Sequence, residues 1–185
     1  MSDGNPPIYR RWERGDILNL RVQSSETNFE TRMAGIGDAA AISSVLYESF
    51  LGYKSRYTSG GFAATTPTAE QVLARMSEGP IWVVLLNGAI VGTVSVVLKQ
   101  KSLYIRGMAV LSTARGNGLG ELLLSQIESY ANEKGCTRLF LSTTPFLDGA
   151  IRLYERCGFR RIDEGPHDLF GTPLFTMEKR QEMHR

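Results

Sequence analysis

Cysteine is scarce in this chain: 185 residues contain two, Cys136 and Cys157. Two such residues make neither a metal-ligand spacing nor a disulfide framework. They are expected to be reduced and buried. An excess of either charge is also missing. Lys and Arg number 21 against 19 Asp and Glu, a formal net charge of +2, without the basic stripe that nucleic-acid binding requires. No apolar run approaches the roughly 20 residues of a membrane span. The longest, IVGTVSVVL, is strand-like, and the opening MSDGNPPIYRRWERGD has no apolar core of signal-peptide length. These absences predict a cytoplasmic protein with neither nucleic acid nor membrane as partner. What is present fits one globular domain: 42% hydrophobic and 22% charged residues over a length that can bury a sizeable core.

Residues 1–28 are polar, with Pro6-Pro7 and the basic Arg10, Arg11 and Arg14, and read as a partly disordered extension in which ILNLRV (17–22) is a short strand candidate. The domain is expected over 29–180, followed by a tail at 181–185. FETRMAG suggests a strand. Asp38 is a candidate N-cap for a helix carrying Ala41, Ile42, Val45, Leu46 and Phe50 on one face. LGYKSRYTSGGFAATTP reads as a loop with at most one helical turn, and Thr68 caps a helix that Gly79-Pro80 stops. Asn87-Gly88 between IWVVLL and AIVGTVSVVL is a hairpin signal. SLYIRGMAVL (102–111) and TRLFLSTT are strands, joined by a helix with Leu119, Leu122, Leu123, Ile127, Tyr130 and Ala131 on one face. A short helix from Asp148 to Cys157 carries Ala150, Ile151 and Tyr154, and FRRIDEG with TPLFTMEKR closes the chain as an antiparallel pair. Strand, turn, helix and strand over 103–144 demand a parallel pair with a right-handed crossover, whereas the hairpins are antiparallel. The fold class is therefore α/β of the α+β kind, a mixed, mostly antiparallel sheet with helices on both faces.

The stretch VLSTARGNGLG (110–120) places Gly116, Gly118 and Gly120 at alternate positions where that helix begins. Glycine weakens a helix by about 1 kcal/mol relative to alanine, so three of them need another reason. A helix start exposes unpaired N–H groups and the positive end of the dipole. Removing side chains lets an anion reach those groups, and Arg115 adds a fixed positive charge beside them. This is a phosphate cradle. It is not a P-loop, because no lysine follows, and G-x-G-x-G after antiparallel strands does not match a dinucleotide fingerprint.

Val110, Arg115, Gly118 and Gly120 resemble the V-x-x-x-x-R-x-x-G-x-G coenzyme A signature of the GNAT superfamily of N-acyltransferases. AIRLYERCGF (150–159) resembles that family's Ala-x-x-x-Tyr-x-x-x-Gly-Phe segment, and the element order from about 29 to 180 is similar too. The resemblance implies a parallel pair that splays open, with acetyl-CoA as the cosubstrate and no metal. Pantetheine would pair with the backbone of Met108, Ala109 and Val110. The pyrophosphate would rest on the N–H groups of Arg115, Gly116, Asn117, Gly118, Leu119 and Gly120. Many relatives carry Asn where this chain has Leu147; the strand end Ser142-Thr143-Thr144 resembles a subset that uses a Thr-rich end instead, which brings in Thr143.

The resemblance also makes Tyr154 the acid that meets the departing thiolate, a donor of ordinary pKa about 10 facing a thiol of about 8.5. The acceptor amine needs the opposite service. At a pKa of about 10.4 it is neutral in roughly one molecule in 2,500 at pH 7, a penalty of about 4.6 kcal/mol. Some relatives place a glutamate where this chain has Tyr104, and no carboxylate lies between Ser102 and Ser112. Glu48 is a weak alternative, and water another. Tyr53, Tyr57, Phe62 and His167 are candidate linings for the acceptor, a primary amine of a small molecule or peptide. A homodimer is compatible with the sequence. Two other readings stay open: an acyl-CoA-binding module without turnover, and a different nucleotide-binding enzyme.

Overall fold

The computed structural model describes residues 29–181; the expected extension, its strand candidate and most of the expected tail lie outside the described residues. The elements run β1 (Phe29–Met33), α1 (Ala39–Leu51), α2 (Ser59–Thr65), α3 (Ala69–Glu78), β2 (Ile81–Leu86), β3 (Ala89–Lys99), β4 (Ser102–Val110), α4 (Leu119–Glu133), β5 (Arg138–Thr143), α5 (Asp148–Arg156), β6 (Arg160–Ile162), β7 (Asp168–Leu169), β8 (Thr172–Pro173) and β9 (Phe175–Arg180). Seven strands form one sheet in the order β1-β2-β3-β4-β5-β9-β6, and β7 pairs with β8 separately. Every neighbouring pair in the large sheet is antiparallel except β4 and β5.

Both sheet faces are covered. On one, Leu123, Leu124 and Ile127 of α4 pack over Val84, Val94, Leu103, Ile105, Leu139 and Met177. On the other, Ile42, Val45 and Leu46 of α1 and Val72 of α3 pack over Ile81, Val83 and Leu85. β2 thus sends alternate side chains into two cores, which is why IWVVLL reads as an unbroken apolar run. The Asn87-Gly88 turn has both residues at positive φ, +51° and +83°, as a two-residue hairpin turn requires. Thr68 and Gln71 form a reciprocal capping box at the start of α3.

Several expectations need correction. Residues 51–67 are not mainly loop. They hold a short 3-10 turn at Lys54–Arg56 and then α2, whose N-cap Thr58 accepts from the Gly61 N–H at 3.0 Å. The same threonine is bound to Phe170 and Thr172 of the β7–β8 hairpin, so distant contacts order a Gly- and Thr-rich stretch. That hairpin takes Thr172 and Pro173, so the last strand begins only at Phe175. Ala41 is exposed and Ala39 takes the core position, and Cys157 is only partly buried whereas Cys136 is buried.

Asp38 precedes α1 but does not cap it. Its carboxylate turns back to accept from Arg32 at 2.6 and 3.0 Å and from the Gly35 N–H at 2.7 Å. The Arg32 guanidinium, then the Gly35 amide, holds the Asp38 carboxyl below its ordinary value. A carboxyl lowered by folding stabilises fully above its unfolded pKa of about 4, and that contribution is lost as pH falls through the folded value. Asp38→Asn is therefore expected to lower the unfolding free energy by about 1 kcal/mol at pH 7. Denaturant titrations should show the gap between wild type and variant shrinking below about pH 4; a gap independent of pH would contradict this role.

Candidate active site

The site is made where β4 leaves β5. The parallel pairing runs Ser102 with Arg138 through Ile105 with Leu141 and goes no further. On its other edge β4 stays paired with β3, but the register shifts between Thr93 and Ser95, setting two residues, Gly107 and Met108, opposite one. Gly107 sits at φ +58° in this bulge, a conformation suited to glycine. A bulge bends its strand and increases the local twist. From the bulge onward, Met108, Ala109 and Val110 present to the β5 side a backbone edge that no strand among the described residues occupies.

A cavity of about 830 Å³ fills the opening, within the usual range for small-molecule sites. Its lining includes Met108, Ala109, Val110, Arg115, Gly116, Gly118, Leu119, Gly120, Thr143 and Tyr154, so the structure brings ten of the eleven residues singled out above to one space. Asn117 is not part of the lining; its side-chain amide donates to the carbonyls of Ala114 and Arg115 instead.

At the glycine turn, Gly116 and Gly118 have φ of +83° and +72°, and Gly118 is the N-cap of α4. A Cβ at either would meet nothing within 4 Å, so both face open space. The first backbone hydrogen bond of α4 is donated by Leu122 to the Gly118 carbonyl. Among the described residues nothing accepts from the N–H groups of residues 116–121. Six donors at the positive end of a 15-residue helix suit an anion such as a pyrophosphate. Gly120 carries a packing constraint besides its free N–H. A Cβ there would lie 2.6 Å from Leu153 Cδ2, so this glycine lets α5 pack against the start of α4. Arg115 donates through Nε to the Val110 carbonyl, tying the turn to the end of β4.

Tyr154 projects from α5 into the core beside the cavity, 7% exposed, with Phe159 at 5.9 Å between ring centres. Burial, with a smaller push from nearby Tyr57, raises its phenol well above the ordinary tyrosine value. Its hydroxyl therefore stays protonated at any working pH, able to donate its proton in a hydrogen bond and to accept one on oxygen. Tyr57 is also raised, chiefly by burial, an effect offset by the hydroxyls of Thr144 and Thr65.

The remaining candidates divide. Tyr53, Tyr57 and Tyr104 line the cavity, and Tyr53 and Tyr57 pack on Phe146 at 6.3 and 4.9 Å. Phe62 is buried outside the lining, and Glu48 and His167 are exposed elsewhere. Leu147, Ser142 and Thr144 do line it. Among the described residues the one carboxylate on the wall is Glu121, paired with Arg156 at 3.2 Å. Sequence reasoning missed Arg75 and Arg106, which line the same cavity from α3 and β4. Their signal was a charge at a helix position and another inside a strand, uninformative until α3 folds over the sheet.

Similarity to known proteins agrees with this geometry. Residues 45–159 match the profile of the acetyltransferase (GNAT) family. An uncharacterized N-acetyltransferase of Escherichia coli K12, YjgM, is 32% identical over 109 residues, which are 56% of this chain and 65% of that protein. The chain thus spans just under two thirds of that relative's length. The fold matches the PaiA N-acetyltransferase of Thermoplasma acidophilum, solved in complex with coenzyme A, at a TM-score of 0.72 and 17% identity, over 83% of this chain and 99% of that one. It also matches yncA of Salmonella typhimurium, a putative acetyltransferase solved with acetyl-CoA, at a TM-score of 0.66 and 21% identity, over 84% and 95%. The chain belongs to the GNAT acetyltransferase family.

Proposed function

We propose that the protein transfers an acetyl group from acetyl-CoA to a primary amine of a small molecule or peptide, through a catalytic domain at residues 29–180. The observation that carries this reading is the cradle: six N–H groups unpaired among the described residues, and Arg115, beside a β4 edge that no described strand takes up after the bulge. The structures solved with coenzyme A or acetyl-CoA share this fold.

Residues 116–121 hold the pyrophosphate through backbone donors, and the free edge of Met108, Ala109 and Val110 pairs with the pantetheine amides, with Thr143 at the facing strand end. Bound acetyl-CoA supplies the thioester carbonyl that the amine attacks. A carbon–nitrogen bond forms, the carbon–sulfur bond breaks, and a proton leaves nitrogen and arrives on sulfur. Tyr154 serves that proton transfer. With its pKa raised it is too weak an acid to give up a proton outright to a thiolate of ordinary pKa about 8.5. It donates a hydrogen bond to the sulfur and passes its proton across as its oxygen takes the proton released by the amine. Among the described residues the wall offers no carboxylate other than the Arg156-paired Glu121, so cavity water removes the first proton, from the ammonium form before attack. The second, lost from nitrogen after the carbon–nitrogen bond forms, is the one relayed through Tyr154 to sulfur.

Two variants test this. Gly118→Val puts a branched side chain into the cradle and is expected to weaken coenzyme A binding at least tenfold by calorimetry. Left-handed backbone costs such a residue roughly 1–2 kcal/mol, so the melting temperature is read alongside; unchanged affinity in a folded variant would refute the cradle. Tyr154→Phe is expected to lower kcat on the order of 100-fold while coenzyme A affinity holds. In the wild type, kcat should show no fall below about pH 10 from phenol ionisation, because the phenol is raised. Equal turnover in Tyr154→Phe would remove the residue from the reaction.

A further inference from the structure

The end of the cavity bounded by α1, α2 and α3 carries two arginines that the reaction above does not use. Arg75 of α3 lies over Gly107, where a Cβ would meet its Nη1 at 3.3 Å. Arg106 is the next residue back along β4. Arg75 spends one hydrogen bond within the described chain, from Nη2 to the Ala64 carbonyl at 2.9 Å. Arg106 is paired through Nη2 with Glu78 at 2.8 Å, and its buried Nε has no partner among the described residues. Burial first, then the neighbouring Arg106, pulls Arg75 below the ordinary guanidinium range. Two guanidinium groups have been brought close against their mutual repulsion, and the Glu78 carboxylate contacts one of them, Arg106.

Among the described residues the charges on the wall are Arg75, Arg106, Arg115, Arg156 and Glu121. Arg156 and Glu121 cancel, and Arg115 belongs to the cradle. Glu78, outside the lining, offsets Arg106. One positive charge is left over at the acceptor end. On the same wall, Ser49 Oγ of α1 is a buried side-chain oxygen with no hydrogen-bond partner among the described residues. A buried polar group without a partner costs about 1–3 kcal/mol, a cost that a polar ligand removes. A single unmatched guanidinium charge with forked donors suits one carboxylate better than a phosphate dianion.

We propose that the acceptor is an amine that also carries a carboxylate, of the amino-acid class, and that Arg75 and Arg106 select it by binding that carboxylate at the α1–α3 end of the cavity. This rests on the acetyl-transfer reading above and narrows its substrate.

The test measures thiol release with saturating acetyl-CoA against the common amino acids, each offered as free acid and as carboxamide, with O-phosphoethanolamine as a phosphate-bearing amine. Coenzyme A binding is measured separately by calorimetry. For the best substrate the free acid is expected to exceed its carboxamide at least tenfold in kcat/KM. Arg75→Gln should bring that ratio close to one without changing the Kd of coenzyme A. Arg106→Lys, which keeps the charge and loses the fork, should lower the ratio severalfold and serves if Arg75→Gln does not fold. Equal use of acid and carboxamide, preference for the phosphate amine, an unchanged ratio in a folded variant, or no turnover of any amino acid while coenzyme A binds would each overturn the inference and leave acetyl transfer standing. Absence of coenzyme A binding would overturn acetyl transfer itself.

Discussion

The parting of β4 from β5 after Ile105 and Leu141 is the constraint on which the rest of this molecule depends. A parallel pair that stayed zipped would bury the backbone of Met108 to Val110 and close the cavity. The bulge at Gly107 and Met108 keeps β4 bound to β3 while turning it away from β5. Both cores lock this geometry from opposite sides, α4 through Leu123 and Ile127 and α1 through Ile42 and Leu46. The opening is thus held by the most buried part of the fold, and the site is available without a domain movement.

The opening divides the chemistry between two ends. At one, α4 supplies unpaired N–H groups, and positive φ at Gly116 and Gly118 keeps side chains out of their way. At the other, α1, α2 and the segment between them supply aromatic rings and hydroxyls, while α3 and β4 supply one arginine each. Tyr154 stands where the two ends meet, held by burial in its protonated form. Backbone donors suit a cosubstrate whose phosphates must always be recognised. Side chains such as Arg75 and Arg106 suit the acceptor, because they can differ from one chain to another without altering the sheet.

Much of this was legible in the sequence because it rests on local rules. Asn87-Gly88 is a hairpin turn, Thr68 with Gln71 is a capping box, and the alternate glycines announce an exposed helix start. Other features depend on contacts across long sequence separations. α2 is ordered by Thr58 meeting Thr172, 114 residues away. Asp38 resembles a helix cap but binds Arg32. Gly120 looked like part of the anion cradle, and its tight constraint comes from Leu153. Arg75 and Arg106 carry no motif; they become a pair only when α3 crosses β4. The glycine-rich helix start was therefore readable from the sequence, and the juxtaposition of the two arginines was not.

The most direct test of the central claim is calorimetric titration of the wild-type protein with coenzyme A, acetyl-CoA, NAD and ATP. The vacant edge of β4 and the cradle together predict tight binding of the two coenzyme A species and much weaker binding of NAD and ATP, which offer a pyrophosphate but no pantetheine. Equal affinity for all four would mean that the edge recognises nothing. Failure of both coenzyme A species to bind would contradict the account at its base.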